Sequence, residues 1–298
     1  MKSFAQLLSG FLAEYAPRRR NLSENTLKSY RDAFVLLLEY VSKSRGVAPD
    51  EVGIEHLGRK DVEAFLSWLS DERGASAATV NVRLSALRSF AGYVSFTEPA
   101  YLEWSSGIRE IKLSKAPSAE VKYLSVEAVR LVIGCAQGDV RDHALISLLY
   151  DTGARVSEIA AARRHDLRLE GPATIRLVGK GSKARIVPVS KEVSGIMSAY
   201  LATCDRAQDQ PLFLNRRGQA IGRAGIAWVL SKHAAAARAI DPELVPAKVH
   251  PHVLRHSKAV HLVEADVNLM YIRDFLGYRT RKKTRTRRVF PAHELASL

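Results

Sequence analysis

Residues suited to forming a phosphate site occur in four short segments of the second half of the chain, three of which carry basic side chains. The segments read TGARVSEI (152–159), GKGSK (179–183), HPHVLRH (250–256) and DFLG (274–277), the last followed directly by Tyr278. An arginine fork can hold two oxygens of one phosphate, and a lysine can protonate a leaving sugar oxygen. Brought together, these segments predict a site that stabilises the charge of a phosphoryl transition state.

Each segment also has an ordinary structural interpretation. Arg155 follows a Gly-Ala turn at a predicted helix start, where a surface arginine is common and backbone N–H groups face outward. Lys180 lies in a predicted hairpin turn, a usual place for a solvated lysine. His252 and Arg255 are three residues apart and share one face if the segment is helical. Only the combination of segments indicates a phosphate site.

A metal site is the competing interpretation of the histidines. Those in question are His250, His252, His256 and His261. Catalytic zinc takes ligands at helical spacing, commonly with a carboxylate, but Pro251 interrupts the first pair and no HExxH pattern occurs. No acidic cluster suits magnesium. We therefore expect chemistry without a metal or cofactor, and a structural role for His261.

The composition favours a polyanionic partner. The net charge is +14 with an isoelectric point near 9.9, and +7 remains when the seven charges of residues 279–288 are left out. Lysines and arginines that neutralise phosphates release condensed counterions, so a nucleic acid is a candidate partner. A basic surface also serves solubility, so charge alone does not decide the question.

The remaining bulk properties indicate a cytoplasmic protein with two domains. The chain has 298 residues, of which 47% are hydrophobic. No apolar run approaches the ~20 residues of a membrane span, and the amphipathic N-terminus lacks the basic start of a signal peptide. Cys135 and Cys204 are too few for a disulfide framework. No membrane partner is expected.

Apolar periodicity predicts a helical N-terminal domain over residues 1–110. The first predicted helix covers residues 3–18, and the second begins after an N-cap at Ser23 or Asn25. The third runs from near Arg59 to Gly74, and the fourth runs from Ser76 to before Pro99. Residues 111–122 contain a proline and show no period, which predicts an exposed linker.

The second domain, predicted for residues 123–278, is mostly helical with a small sheet. The strand-like runs PATIRLVG and ARIVPVS flank the turn KGSK and predict a β-hairpin. Further helices are predicted at residues 191–206, 222–240 and 251–276. The expected fold class is therefore mainly α with a small β-sheet, in which a four-helix domain precedes an α+β domain.

The order of an arginine, a hairpin lysine and His-x-x-Arg resembles the tyrosine recombinase (phage integrase) family, near its Xer-like branch. The resemblance covers nearly the whole chain. TLKSYRDAFVLLLEYV and ATVNVRLSALRSFAGYV are similar to the family's helical DNA-clamp domain, and DHALISLLYDTGARVSEIAAARRHDL, LVGKGSKARIVPV and HPHVLRHSKAVHLVEADVNLMYIRDFLG to its catalytic domain. The family implies a site-specific recombinase that breaks and rejoins DNA through a 3′-phosphotyrosyl intermediate.

The resemblance assigns roles to the residues that match its motifs. It implies that Arg155 is the first catalytic arginine, that Glu158 supports it, and that Lys180 is the general acid. It also implies that His252 and Arg255 form the His-x-x-Arg pair.

Two further positions lie beside these motifs. The resemblance makes His256 a structural neighbour of the His-x-x-Arg pair. The family places His or Trp directly after LG, whereas this chain has Tyr278, whose hydroxyl can still donate to a phosphate oxygen.

The nucleophilic tyrosine of the family has no counterpart in this pattern. Its expected position, nine residues after Tyr278, holds Arg287, and no tyrosine follows Tyr278. A guanidinium stays protonated and cannot attack phosphorus. Seven of the ten residues 279–288 are basic, and this abrupt change indicates that the tail, 279–298, is divergent or frameshifted. Strand cleavage is therefore predicted to be lost or impaired, unless Tyr278 or Tyr271 supplies the hydroxyl.

Three functional interpretations remain. The first is a DNA recombinase with impaired cleavage, and the second is an inactive DNA-binding protein that acts as a competitor or partner subunit. The third, a type IB topoisomerase-like enzyme, needs the same tyrosine and does not explain the Xer-like N-terminal helices. The family implies a homo-tetramer on DNA, an expectation that the altered tail weakens here. Arg83 and Arg88 of the fourth helix are candidate DNA contacts.

Overall fold

A computed structural model describes residues 2–114, 123–179, 183–204 and 207–278 of the chain. The chain divides into two units, Met1–Glu120 and Val121–Leu298. Each unit has its own hydrophobic core, as expected for two domains. Within the described ranges, no helix is long and apolar enough to cross a membrane.

The N-terminal unit is helical, and serines cap three of its helices. Its helices are α1 (Phe4–Gly10), which continues as a π-helix (Phe11–Arg19), α2 (Glu24–Arg45), α3 (Arg59–Asp71), α4 (Ala77–Thr97) and α5 (Leu102–Glu110). The hydroxyls of Ser23 and Ser76 accept hydrogen bonds from the backbone N–H groups of Thr26 and Thr79. Ser23 is therefore the N-cap of α2, and the two predicted starts are confirmed.

A cluster of aromatic rings lies within the core of this unit. The ring of the fully buried Phe11 lies 5.4 to 6.2 Å, between centroids, from the rings of Tyr15, Tyr30, Phe34, Phe90 and Tyr93. Pairs of this kind contribute roughly 0.5–1.5 kcal/mol each beyond the burial of their area. They hold the π-helix against α2 and α4.

Two expectations for this unit need correction. Helix α5 lies beyond the four predicted helices, and it was missed because it is short and follows Pro99 closely. Its Ser105 hydroxyl donates to the carbonyl of Ala91 in the core. Ile111, which the sequence placed in an exposed linker, is buried in the same core, so the first domain extends beyond residue 110.

The C-terminal unit is mostly helical and contains a small antiparallel sheet. Its helices are α6 (Val126–Gly134), α7 (Val140–Asp151), α8 (Val156–Ala161), α9 (Lys191–Ala202), α10 (Arg223–Ile240), α11 (Pro251–Glu264) and α12 (Leu269–Leu276). Its strands are β1 (Leu167–Arg168), β2 (Thr174–Val178) and β3 (Ala184–Pro188), in the order β1-β2-β3. Ile175 of β2 faces Leu167 of β1 and Val187 of β3, so the predicted hairpin and fold class are confirmed.

The segment predicted as one helix over residues 251–276 is two helices. Asp266 has a left-handed backbone with φ of 57°, which ends α11, and the Asn268 side chain accepts a hydrogen bond from the Met270 N–H to start α12. The apolar period continues through the break, which explains why periodicity alone missed it. The break sets the direction of α12, whose last residues reach the candidate site.

Candidate functional site

Arg155 is held at the start of α8 by Glu158, three residues further on. Gly153, with φ of 54°, turns the chain out of α7 and makes Arg155 the N-cap of α8. The Glu158 carboxylate accepts from the Arg155 backbone N–H at 2.8 Å and from its Nη1 at 2.9 Å. The Arg155 side chain remains 36% exposed, so its guanidinium is fixed and still open to a ligand.

Glu158 is a buried carboxylate that stays ionised. Burial opposes its ionisation, but hydrogen bonds from Arg185 and Arg155 outweigh burial and lower the pKa of Glu158 below its usual value. The geometry of Glu158 is therefore compatible with the supporting role that the family resemblance implies for it.

Arg255 lies on α11 and is almost completely buried. Its Nη1 donates to the carbonyl of Gly153 at 2.6 Å, and its Nη2 donates to the carbonyl of Leu276. Burial and the neighbouring charge of Arg155 lower the pKa of Arg255, but a guanidinium remains protonated at neutral pH. Arg255 thus joins the turn before α8 to the end of α12.

The end of α12 meets both arginines. Gly277 ends the helix with φ of 67°, and its carbonyl accepts a hydrogen bond from Arg155 Nη2 at 3.4 Å. The ring of the half-exposed Tyr278 lies over the Arg255 guanidinium, 4.9 Å from Cζ to the ring centroid. The structure therefore brings together Arg155, Glu158, Arg255 and Tyr278.

His252 and His256 lie on the same face of α11, one turn apart. Their rings are nearly parallel, at 8°, with centroids 6.4 Å apart. His252 is exposed, and desolvation together with Arg255, His256 and Arg155 lowers its pKa. The neutral imidazole is therefore the main form at neutral pH, and it can donate or accept one proton at the site.

The β2–β3 hairpin adjoins this cluster. The Gly179 N–H donates to the Lys183 carbonyl at 2.8 Å, and a Cβ added at Gly179 would lie 3.2 Å from Glu158 Oε1. Lys180, the predicted general acid, lies outside the described residues. The same holds for Arg287 at the expected nucleophile position and for the rest of the basic tail.

Arg185 is the site residue that the sequence reasoning missed. It lies on β3, and its Nη1 and Nη2 donate to the two carboxylate oxygens of Glu158 at 2.7 and 2.8 Å. A signal was present, because Arg185 alternates with Val187 on the buried side of β3. A charged residue at an inward strand position needs a partner, and that requirement points to a carboxylate.

Arg83 and Arg88 are engaged within the N-terminal unit. Nη1 of Arg83 donates to the Ser29 carbonyl at 2.8 Å, and Nη2 of Arg88 donates to the Ile111 carbonyl. Both side chains are partly buried, and the Nε atom of each is buried without a partner. These contacts favour a packing role over the predicted contact with DNA.

The predicted structural role of His261 agrees with its surroundings. Its Nδ1 forms a hydrogen bond of 2.7 Å with the hydroxyl of Tyr150, and the residue is buried. In the part of the chain that the structure describes, no group of three or more His, Cys, Asp or Glu side chains is placed to hold a metal ion.

Comparisons with known proteins agree along most of the chain. Residues 122–287 match the model of the phage integrase family, and residues 9–94 match the phage integrase N-terminal SAM-like domain. A putative integrase/recombinase, y4rC, from Sinorhizobium fredii is 30% identical over 95% of this chain and 86% of its own length. A tyrosine recombinase XerC from Rhodospirillum centenum is 32% identical over 94% of this chain and 81% of its own.

Solved structures show the same fold. The Tn1549 transposon integrase in complex with transposon right end DNA aligns with a TM-score of 0.70 at 18% identity, over 90% of each chain. The XerH site-specific recombinase bound to a palindromic difH substrate aligns with a TM-score of 0.68 at 22% identity, over 88% of this chain and 75% of that one. With the family match over the catalytic unit, these findings lead to one assignment. The chain belongs to the phage integrase family and is a homologue of the Xer tyrosine recombinases.

Proposed function

We propose that this chain binds double-stranded DNA as a site-specific recombinase and activates one phosphodiester for strand breakage and rejoining. One observation carries the proposal: Arg155 and Arg255 donate to the consecutive carbonyls of Gly277 and Leu276. Two guanidinium groups from different helices therefore meet at the end of α12. Each Nη group carries a second hydrogen besides the one that it donates to a carbonyl, and arginine N–H groups suit the non-bridging oxygens of a phosphodiester.

In the proposed reaction, a nucleophile oxygen bonds to phosphorus while the bond from phosphorus to the 5′ oxygen breaks. Arg155 and Arg255 stabilise the charge on the remaining oxygens. His252, which is mainly neutral at neutral pH, exchanges a proton with the phosphate or forms a hydrogen bond to it. The 5′ oxygen leaves as a hydroxyl after it receives a proton, a role that the family resemblance gives to Lys180.

Tyr278 contacts the phosphate in this proposal and is not the nucleophile. Its ring is stacked over Arg255, one of the groups proposed to bind the phosphate, and a tyrosine hydroxyl can donate a hydrogen bond to a phosphate oxygen. The remaining question is the source of the nucleophile, since no tyrosine follows Tyr278 in the sequence.

This sequence feature favours a second candidate function, a DNA-binding protein without cleavage activity. It would act as a competitor or as an inactive subunit in an oligomer on DNA. Lambda integrase crystallises as a dimer on a core site and as a tetramer on a Holliday junction, and we propose a homo-oligomer on DNA for this chain as well.

Covalent trapping separates the two functions. The full chain is incubated with nicked suicide duplexes from its flanking DNA, and adducts are sought on a denaturing gel beside a native mobility shift. A parallel reaction contains hydroperoxide, a small nucleophile that can replace a missing tyrosine by attacking phosphorus directly. An Arg155→Ala variant is the control, and we expect at least a ~100-fold loss of any cleavage.

Each result has one meaning. A protein–DNA adduct shows a recombinase with a tyrosine nucleophile, which adduct mapping identifies. A shift with cleavage only in hydroperoxide shows that the activating groups work and that the nucleophile is missing. A shift without cleavage in either reaction supports the second function. No shift with any duplex contradicts both.

A further inference from the structure

Arg185 contacts two parts of the proposed phosphate site, the Glu158 carboxylate and the end of α12. Its side chain is 13% exposed. Nη1 and Nη2 donate to Glu158, and Nε donates to the carbonyl of Phe275 at 2.9 Å. All three guanidinium nitrogens of Arg185 therefore donate to protein groups, and the side chain is fixed by Glu158 and by the end of α12.

Glu158 is shared between two guanidinium groups. Its Oε1 accepts from Nη1 of Arg155 and Nη1 of Arg185, and its Oε2 accepts from the Arg155 backbone N–H and from Arg185 Nη2. One carboxylate facing two cations leaves the group of three with a net positive charge. Without Arg185, Glu158 would cancel the charge of Arg155, on which phosphate binding depends.

Arg185 also fixes the end of α12. A Cβ added at Gly277 would lie 3.1 Å from Arg185 Nη1 and 3.2 Å from its Cδ, so the two residues are in close contact. Gly277 is the residue whose carbonyl accepts from Arg155 Nη2, and Tyr278 follows it. Arg185 therefore touches both groups that hold the Arg155 guanidinium, namely Glu158 and the end of α12.

We infer that Arg185 is a positioning residue, which acts through Glu158 to keep Arg155 directed and positively charged toward a DNA phosphodiester. The inference rests on the proposed function of this site as a phosphodiester-binding centre. It differs from a catalytic role because Arg185 itself does not touch the substrate. It also differs from a general packing role, because its effect on anion binding should depend on the Glu158 carboxylate.

The test uses dimethyl phosphate, a phosphodiester with one negative charge, and measures its affinity by ³¹P NMR titration of the full chain. Arg185→Met removes the charge and keeps the length, and Arg185→Lys keeps the charge but loses the fork. Arg176→Met is the matched control, because Arg176 lies on β2 of the same hairpin and pairs with Asp166 but is 52% exposed. Both Arg185 variants are also made in a Glu158→Gln background, and folding is checked by thermal unfolding.

We expect Arg185→Met to weaken dimethyl phosphate binding about 10-fold. The estimate is by analogy with the hydrogen-bonding groups that orient the ligands of a metal ion. Arg185→Lys should fall between wild type and Arg185→Met, and Arg176→Met should bind like wild type. In the Glu158→Gln background, neither Arg185 variant should weaken binding further, because the carboxylate through which Arg185 acts is gone. If Arg185→Met does not fold, Arg185→Lys gives the same comparison.

Two results would overturn the inference: unchanged binding in the Arg185 variants, or an equal loss with and without the Glu158 carboxylate. Failure of the proposed recombinase function would give a different set of results from failure of this inference. In that case wild type binds dimethyl phosphate, the variants follow the expected pattern, and no duplex is cleaved in either trapping reaction.

Discussion

The two units differ in what their cores contain. Among the described residues of the N-terminal unit, Ser105 is the single buried polar side chain. The buried polar and charged side chains of the C-terminal unit are Asp142, Ser147, Thr152, Glu158, His233, Arg255, Ser257, Lys258 and His261. The core of the N-terminal unit is almost entirely apolar, and that of the C-terminal unit also encloses charged side chains.

Buried charges are costly unless they are paired, so their presence requires a reason. Glu158 and Arg255 have one, because they lie in the proposed phosphate site. Asp142 lies in the first turn of α7, outside the proposed phosphate site. It accepts hydrogen bonds from His233 Nε2 at 2.9 Å and from Arg141 Nε at 3.0 Å. The comparison therefore separates charge that serves the site from charge that holds the scaffold together.

The largest effect on stability is expected for Asp142→Ala. Removal of the carboxylate leaves His233 and Arg141 without their shared partner, and breaking a buried pair of this kind costs about 3–5 kcal/mol. Urea unfolding followed by hydrogen exchange reports the loss for each unit separately. We expect the free energy of unfolding to fall in α7 and α10 and to stay unchanged in the N-terminal unit. A loss below 1 kcal/mol would show that the pair is not a scaffold element.

A smaller effect is expected for Phe11→Leu in the N-terminal unit. Leucine keeps the site apolar but removes the ring contacts of Phe11 with its aromatic neighbours. We expect a loss of about 2.5 kcal/mol, the sum of five ring contacts at the lower limit of about 0.5 kcal/mol each. Hydrogen exchange should place this loss in the π-helix, α2 and α4, and leave the C-terminal unit unchanged. Equal destabilisation of both units would contradict the separation of their cores.

The pH dependence of stability should distinguish the two cores further. Burial opposes ionisation of Asp142, but hydrogen bonds from His233 and Arg141 outweigh it and lower the pKa of Asp142. A lowered carboxyl pKa contributes stability above the unfolded value, near 3.9, and this stability is lost as pH falls through the folded value. Asp142→Asn lacks this titration, so its unfolding free energy should change less than that of wild type on acidification. Phe11→Leu should lower the free energy of unfolding by the same amount at neutral pH and at acidic pH.

The sequence predicted the structural features that depend on the spacing of residues close together in the chain. The serine caps, the hairpin and the two arginines followed from residue types and their order. Arg185 did not, because its partners Glu158 and Phe275 lie 27 and 90 residues away in the chain. The Asp142–His233 pair, 91 residues apart, was missed for the same reason. Periodicity shows which face of an element is buried but not which distant element supplies a charge.

The smallest effect is expected for an exposed ion pair of the N-terminal unit. Lys43 donates to Glu39 at 3.3 Å across one turn of α2, and the Lys43 side chain is 71% exposed. Because water screens such pairs, Lys43→Ala should cost about 0.3–0.5 kcal/mol, and less at high salt. Urea unfolding of wild type and variant at low and high salt measures both quantities. A loss comparable to that of Asp142→Ala would mean that exposure does not decide the strength of these pairs, and the contrast between a charged and an apolar core would then lose its energetic basis.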